Sequence, residues 1–410
     1  MLLLTATYGM LLVVVVVELP RIVSGRNSLA KTPPMGWMSW ELFRQPGDIT
    51  EQLYMAQTDA LVAGGYIDAG YTGVHIDDCW SEKSRDPKSG ALRPNASRFP
   101  HGMASLGDYI HQRGGQFGLY TAESKETCAG YPGSKDFEIV DANTFRDWGV
   151  DYLKVDGCGD PQYYAEGYKK MGAALEASGR DIVYSCSWPA YMNHGNESIQ
   201  PFPTFINDGC NLWRNWKDIQ CNWESLQSIM DHWGEYGEAL APFAAPGHWH
   251  DPDMLLIGAN CISDVEEMTQ MAIWCISAAP LIMGNDLRNV SDASRNILLN
   301  PDAIAVNQDP LGQMGTRIRS GARQLWARNL FNGDIAVAAH YRAAAQNDTT
   351  TPAETSDITI DFSLLNLFGE IEVYDIWKRL VVGNFHGNYT AVAVPNHGTA
   401  FLRLRVVRKQ

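Results

Sequence analysis

The chain has 410 residues, 45 % hydrophobic and 19 % charged, which excludes a disordered protein and suits one large domain plus a smaller one. A formal net charge of −15 argues against nucleic acid as the partner, because phosphates need basic groups. The same charge fits work at acidic pH, where protonation relieves repulsion between carboxylates.

Residues 2–17 form an apolar run that is short for a bilayer span of about 20 residues. It is read as part of a signal peptide over 1–25, cleaved between 23 and 25, although no basic residue precedes the run. Sequons at Asn95, Asn196, Asn289, Asn347 and Asn388 agree with export. The eight cysteines of an exported chain can form disulfides.

Beyond the leader, short apolar runs alternate with helical patterns. Strands are expected to begin near Met35, Val74, Phe117, Tyr152, Ile182, Cys210, His248 and Leu281. Thr50 is a fitting N-cap for a helix over 51–62 that stops at Gly64 and Gly65. Ser105 is read as capping a helix that ends at Gly114 and Gly115. Further helices are expected over 141–148, 165–177, 223–240 and 265–278. Eight such units over about 280 residues match a (β/α)8 barrel, here 26–311. A doubly wound sheet would carry a glycine-rich phosphate turn after its first strand, and none is present. The polar clusters 37–41, 77–78, 120, 154–158, 186–188, 214–218 and 251–254 all fall at the C-terminal ends of the expected strands, the functional face of such a barrel. After residue 311 the pattern becomes alternating strands over 323–329, 335–341, 357–362, 370–376 and 400–406, with an Asn332-Gly333 hairpin signal. This makes 312–410 an antiparallel β-sandwich domain with a shielding role; no aromatic platform for sugar binding is visible in it.

In the strand at 152–156, Lys154 and Asp156 share one face by the two-residue period. A lysine and an aspartate inside a barrel mouth are costly to bury without a purpose. Lys154 is expected to keep Asp156 ionised, as a carboxylate nucleophile requires; a structural ion pair is the competing reading. A second carboxyl about 5 to 5.5 Å away would complete an acid/base pair. Asp218 is the candidate, and spacing alone leaves Asp77, Asp78, Asp251 and Asp253 as rivals.

The segments TPPMGWMSW at 32–40, IDDCW at 76–80, KVDGC at 154–158, YSCSWPAY at 184–191 and DPDM at 251–254 resemble glycoside hydrolase family 27. That family comprises α-galactosidases and α-N-acetylgalactosaminidases, and its fold is a barrel followed by an antiparallel β domain. The resemblance implies Asp156 as nucleophile and Asp218 as acid/base. It implies Asp77 and Asp78 as ligands of the 4- and 6-hydroxyls, Lys154 and Arg214 as donors near O3 and O4, and Trp40 as an aromatic wall. Tyr120, Cys128, Cys158, Tyr191 and Asp253 map onto pocket positions. Plain packing competes for Trp40 and the tyrosines.

Family α-galactosidases carry a glutamate and a leucine where Ser187 and Ala190 stand here. The smaller pair leaves room for a 2-acetamido group, with Ser187 free to hydrogen-bond and Ala190 contacting the methyl. This implies a preference for terminal α-N-acetylgalactosamine, with weaker action on α-galactose. An α-galactosidase and a sugar-binding protein without catalysis are the alternatives. The resemblance also implies disulfides Cys128–Cys158 and Cys186–Cys210. The family's cysteine-rich segment is replaced by FRQPG at 43–47, so Cys79 loses its usual partner. Cys221 and Cys261 have no counterpart and their pairing stays open; Cys275, in an apolar helix, reads as a buried thiol. His250 replaces an asparagine. His248, His250, Asp251 and Asp253 are metal-ligand types, but their spacing matches no standard zinc motif and no cofactor is expected. The expected partner is a galactosaminyl or galactosyl glycoconjugate, with a homodimer and a lysosomal or secreted location implied.

Overall fold

The computed structural model describes residues 27–342 and 354–407; the expected signal peptide and the Asn347 sequon lie outside them. Strands and helices alternate as β1 (Met35–Met38), α1 (Glu51–Ala63), β2 (Gly73–His75), α2 (Gly102–His111), β3 (Gln116–Ala122) and α3 (Glu138–Asp147). There follow β4 (Tyr152–Asp156), α4 (Pro161–Ser178), β5 (Val183–Cys186), α5 (Phe202–Asn207), β6 (Leu212–Arg214), α6 (Trp223–Leu240), β7 (Trp249–Asp251), α7 (Asp264–Ile276), β8 (Leu281–Met283), α8 (Asp292–Leu298) and α9 (Pro301–Asn307). The strands form one parallel sheet in the order β7-β6-β5-β4-β3-β2-β1-β8. Between β8 and β7 the ring closes through Leu255: its N–H donates to Ile282 O at 2.7 Å, and its carbonyl accepts from Gly284 N at 2.9 Å. The result is a (β/α)8 barrel. Strand residues such as Trp37, Val74, Phe117, Leu153 and Val155 are buried, since the helices cover the outside and side chains fill the inside.

Local chemistry sets most helix ends. Thr50 caps α1, accepting from Leu53 N. Asp160 caps α4 with Pro161 in its first turn, and Gly179 ends it at φ 77°, a left-handed geometry that favours glycine. Ser263 and Glu266 form a capping box on α7.

Three helix starts differ from expectation. Ser105 lies inside α2, which begins three residues earlier; there the His101 N–H donates to Glu51 Oε2 at 3.1 Å, a partner from another helix. Helix α3 starts before Asp141, whose buried carboxylate binds Arg85 and Ser134 and caps nothing. Helix α4 starts at Pro161, ahead of the apolar periodicity. The short helices α5, α8 and α9 were not expected at all.

The C-terminal part contains β9 (Thr316–Arg319), β10 (Arg323–Asn329), β11 (Ile335–Tyr341), β12 (Thr355–Asp361), β13 (Glu370–Asp375), β14 (Leu380–His386), β15 (Asn388–Pro395) and β16 (Thr399–Val406). A six-stranded antiparallel sheet, β14-β13-β16-β11-β10-β9, faces the β12-β15 pair. Leu325, Val337, Ile358, Ile360, Val373 and Leu402 fill the space between them. Three strands escaped the sequence reading: β14 and β15 are largely exposed and β9 is half-exposed and basic, so none shows a clean alternation. The domain docks on the barrel through Arg328, whose Nη1 donates to Cys275 O and Val306 O, both at 2.7 Å.

Candidate active site

All the expected polar clusters meet at the C-terminal mouth of the barrel. Asp156, Ser187, Ala190, Tyr191, Arg214, Trp216, Lys217 and Asp218 line one cleft of about 250 Å³. Lys154, Arg214, Asp251, Asp253 and Met254 line a smaller recess beside it. Trp216 and Lys217 were not singled out as site residues in the sequence, although they sit inside the 214–218 cluster.

Lys154 projects inward from β4 as expected, but its short bond goes elsewhere than expected. Nζ donates to Asp77 Oδ2 at 2.8 Å and stands 3.8 Å from Asp156 Oδ2. The hydrogen bond to Asp156 comes from Ser187, whose Oγ donates to Oδ1 at 2.6 Å. Ser187 is therefore engaged by Asp156, not free. The cause is local: Ser187 N donates to Val155 O at 3.0 Å, which sets the side chain beside the end of β4.

Asp77 is buried, and burial pushes it up to about 6 despite Lys154. Asp78 accepts from Cys79 N, Thr127 Oγ1 and Ala129 N, at 2.6, 2.8 and 2.9 Å. These bonds tie down the loop that carries Cys128. Tyr120 is buried, with Lys154 Nζ 5.3 Å from its ring centroid. Trp40 is half-buried just past the end of β1, and its carbonyl accepts from Arg44 Nε at 3.0 Å.

Arg214, on β6, is the electrostatic centre of the far wall. One Nη2 reaches Asp253 Oδ2 at 2.8 Å and Asp218 Oδ1 at 3.0 Å. Burial alone would lower its pKa, but Asp253 and Asp218 outweigh that and raise it. In return Arg214 holds the Asp218 carboxyl below its ordinary range, even though this side chain is 63 % exposed. Asp253 sits at φ 85° and also accepts from Ile219 N, so it anchors the segment next to Asp218. Burial lifts Asp251 to about 6. Glu41, given no role in the sequence reading, is lifted by burial to about 7 and binds Arg44 at 2.8 Å.

Three disulfides brace this face. Cys128–Cys158 and Cys186–Cys210 agree with the family pattern, and Cys221 pairs with Cys261. The last joins the chain just past Asp218 to the segment after β7. Cys79 and Cys275 are free and buried. His250 accepts from Trp213 Nε1 at 2.9 Å on Nδ1 and meets Leu240 O at 2.9 Å with Nε2. Both ring nitrogens are thus used in packing, and burial lowers the ring pKa to about 3. Among the described residues the one cluster of metal-ligand types is Cys128, Asp156 and Cys158, and its two sulfurs are bonded to each other.

A barrel with paired carboxylates at its mouth and a trailing β-sandwich defines a class, and comparison with known proteins identifies it. Residues 32–309 match the family model described as alpha galactosidase A, and 320–404 match the alpha galactosidase C-terminal beta sandwich domain. The chain belongs to this family, glycoside hydrolase family 27, and is a glycoside hydrolase of α-galactosidase or α-N-acetylgalactosaminidase type. It is 49 % identical to the Mus musculus alpha-N-acetylgalactosaminidase over 302 residues, 71 % of this chain and 72 % of that one. It is 45 % identical to Homo sapiens alpha-galactosidase A over 323 residues, covering 76 % and 74 %. The crystal structure of alpha-galactosidase I from Mortierella vinacea superposes with a TM-score of 0.82 at 31 % identity, covering 92 % of this chain and 98 % of that one.

Proposed function

We propose that this enzyme removes terminal α-linked N-acetylgalactosamine from glycolipids, glycopeptides or oligosaccharides, and α-galactose more slowly. Asp218 protonates the leaving oxygen while Asp156 attacks the anomeric carbon. Asp218 then takes a proton from water, which releases the sugar from Asp156, and the two inversions give net retention. The observation that carries this reading is the pair of small residues, Ser187 and Ala190, in the same cleft as both carboxylates. Space there admits a 2-acetamido group, and a roomier pocket still accepts a hydroxyl. The likeness to an α-N-acetylgalactosaminidase supports it, and the nearly equal likeness to an α-galactosidase supports galactose preference as the second reading.

The Arg214–Asp218 contact bears on the working pH. A general acid must start protonated, and Arg214 favours the ionised form, so the acid form is populated only at acidic pH. That suits a lysosomal or secreted enzyme carrying a signal peptide over 1–25 and N-linked glycans, working as a homodimer.

The test is the initial rate on p-nitrophenyl α-N-acetylgalactosaminide and p-nitrophenyl α-galactoside at about pH 4 to 6, with Asp156→Asn as control. Faster release from the acetamido sugar, abolished in the variant, is the expected result. Faster release from the galactoside would overturn the substrate preference and keep the mechanism.

A further inference from the structure

Both hydrogen-bond donors of Ser187 are engaged within the chain. Its side chain is buried, its N–H is held by Val155 O, and its hydroxyl donates to Asp156 Oδ1 at 2.6 Å. An ionised carboxylate can only accept, so the single hydroxyl proton lies between Ser187 and Asp156. Among the described residues no other N–H or O–H comes as close to that carboxylate. Lys154 Nζ is 3.8 Å away and gives its short bond to Asp77. Cys128 Sγ, at 3.9 Å, is disulfide-bonded and has no proton to give. What Ser187 offers a substrate is therefore its lone pairs. It can accept an N–H or an O–H from the C2 substituent, and it cannot donate to an acetamido carbonyl without releasing Asp156.

We propose that Ser187 is a positioning residue for Asp156, relaying a hydrogen bond from the C2 N–H or O–H of the sugar to Oδ1, and that the acetamido group is selected by the space at Ala190 instead. The inference rests on the reading of Asp156 as nucleophile with C2 of the sugar facing residues 187–190. A short hydrogen bond to a charged acceptor fixes the carboxylate in one orientation. It occupies Oδ1 and leaves Oδ2 to form the bond to the anomeric carbon. As that bond forms, the bond from carbon to the aglycone oxygen breaks and the oxygen takes the Asp218 proton. Since N–H and O–H satisfy Ser187 equally, its hydroxyl serves both sugars alike.

The experiment compares wild type, Ser187→Ala, Ser187→Thr and Ala190→Leu on the two p-nitrophenyl sugars from roughly pH 3 to 7. Ser187→Ala should lower kcat/KM about tenfold on both sugars, keep their ratio within about threefold, and move the acid limb up by roughly one pH unit. Ser187→Thr, which keeps the hydroxyl, should restore the limb. Ala190→Leu should reverse the preference and leave the limb in place. The groups facing Asp156 are Lys154 on its own strand, Asp77 and Asp78 beyond β2, Tyr120 on β3, Tyr164 and Tyr168 on α4, Tyr191 beyond β5 and Arg214 on β6. None of them changes in these variants, so a moved limb reads the lost hydrogen bond. A loss confined to the acetamido sugar, or an acid limb that stays put in Ser187→Ala, overturns the proposal. Activity surviving in Asp156→Asn would remove the nucleophile reading and this inference with it. Wild-type preference for the galactoside would overturn the substrate reading alone.

Discussion

Glu123 follows directly on β3, and its N–H donates to the main-chain carbonyl of Asp156 at 2.8 Å. Its side chain is fully buried, and the Glu138 carboxyl is its hydrogen-bonding neighbour. Burial first, and then the neighbouring Glu138, push it from the ordinary 4.5 up to about 9. It is a neutral acid in the folded enzyme at every working pH. The unfolded chain releases the proton near the ordinary value. A folded pKa raised in this way contributes stability that is complete below about 4.5 and is lost as pH climbs toward 9. Between about pH 5 and about pH 7 the loss amounts to about 2.5 kcal/mol from this group. For a chain of this size that corresponds to about 3 °C in Tm. Glu123→Gln keeps the shape and stays neutral at all pH, so it removes this part of the slope. The assay is thermal unfolding of both proteins by circular dichroism at the two pH values and constant ionic strength. Wild type should lose about 3 °C more than the variant on going to the higher pH. Glu41, Asp77 and Asp251 are raised too, act with the same sign in both proteins, and cancel in the difference. Equal losses in the two proteins would refute the argument that this acid stays protonated in the fold.

Asp156→Asn and Asp218→Asn should each cut turnover by roughly a thousandfold or more while leaving the circular dichroism spectrum unchanged; an active Asp218 variant would shift the acid/base role to a neighbour such as Asp253. Because Asp218 is 63 % exposed, salt screens its contact with Arg214. Raising ionic strength should therefore let the lowered pKa rise and carry the alkaline limb of kcat/KM to higher pH; a limb indifferent to salt would show that this contact does not set it. Peptide mapping without reduction should recover Cys221 joined to Cys261, with Cys79 and Cys275 alkylated only after unfolding. Replacing both Cys221 and Cys261 by serine should cost about 2 to 4 kcal/mol, read as a lower midpoint in urea.

The barrel was legible because its signals are local and repeated. Each strand is a short apolar run, each long helix has a polar cap or a glycine stop, and the acidic clusters recur at one end of the strands. Strands packed on both faces and helices with a clear apolar stripe announce themselves in this way. Where the signal failed, a distant group had taken over. Glu51 replaced a cap at the start of α2, and α3 begins three residues ahead of Asp141, whose carboxylate is held by Arg85. The exposed strand β14 had no buried face to mark it.

At the site, the residue types and their order were already legible: two aspartates, a lysine and an arginine at strand ends, with small residues at 187 and 190. Which of these groups touch is a different matter. Strand period placed Lys154 and Asp156 on one face, but only the curvature of the barrel brought Asp77 within 2.8 Å of the lysine. Only the register of β5 against β4 set Ser187 on Asp156, and only the crossing from β6 to β7 added Asp253 to the local Asp218 as a partner of Arg214. Periodicity reports on neighbours a few residues apart, and hydrogen bonds across 31 or 77 positions depend on how separate strands pack. The sequence by itself therefore determined the fold class and most of the residues that line the cleft, while the partner of each charge was decided by the tertiary structure, where burial makes every unpaired group costly.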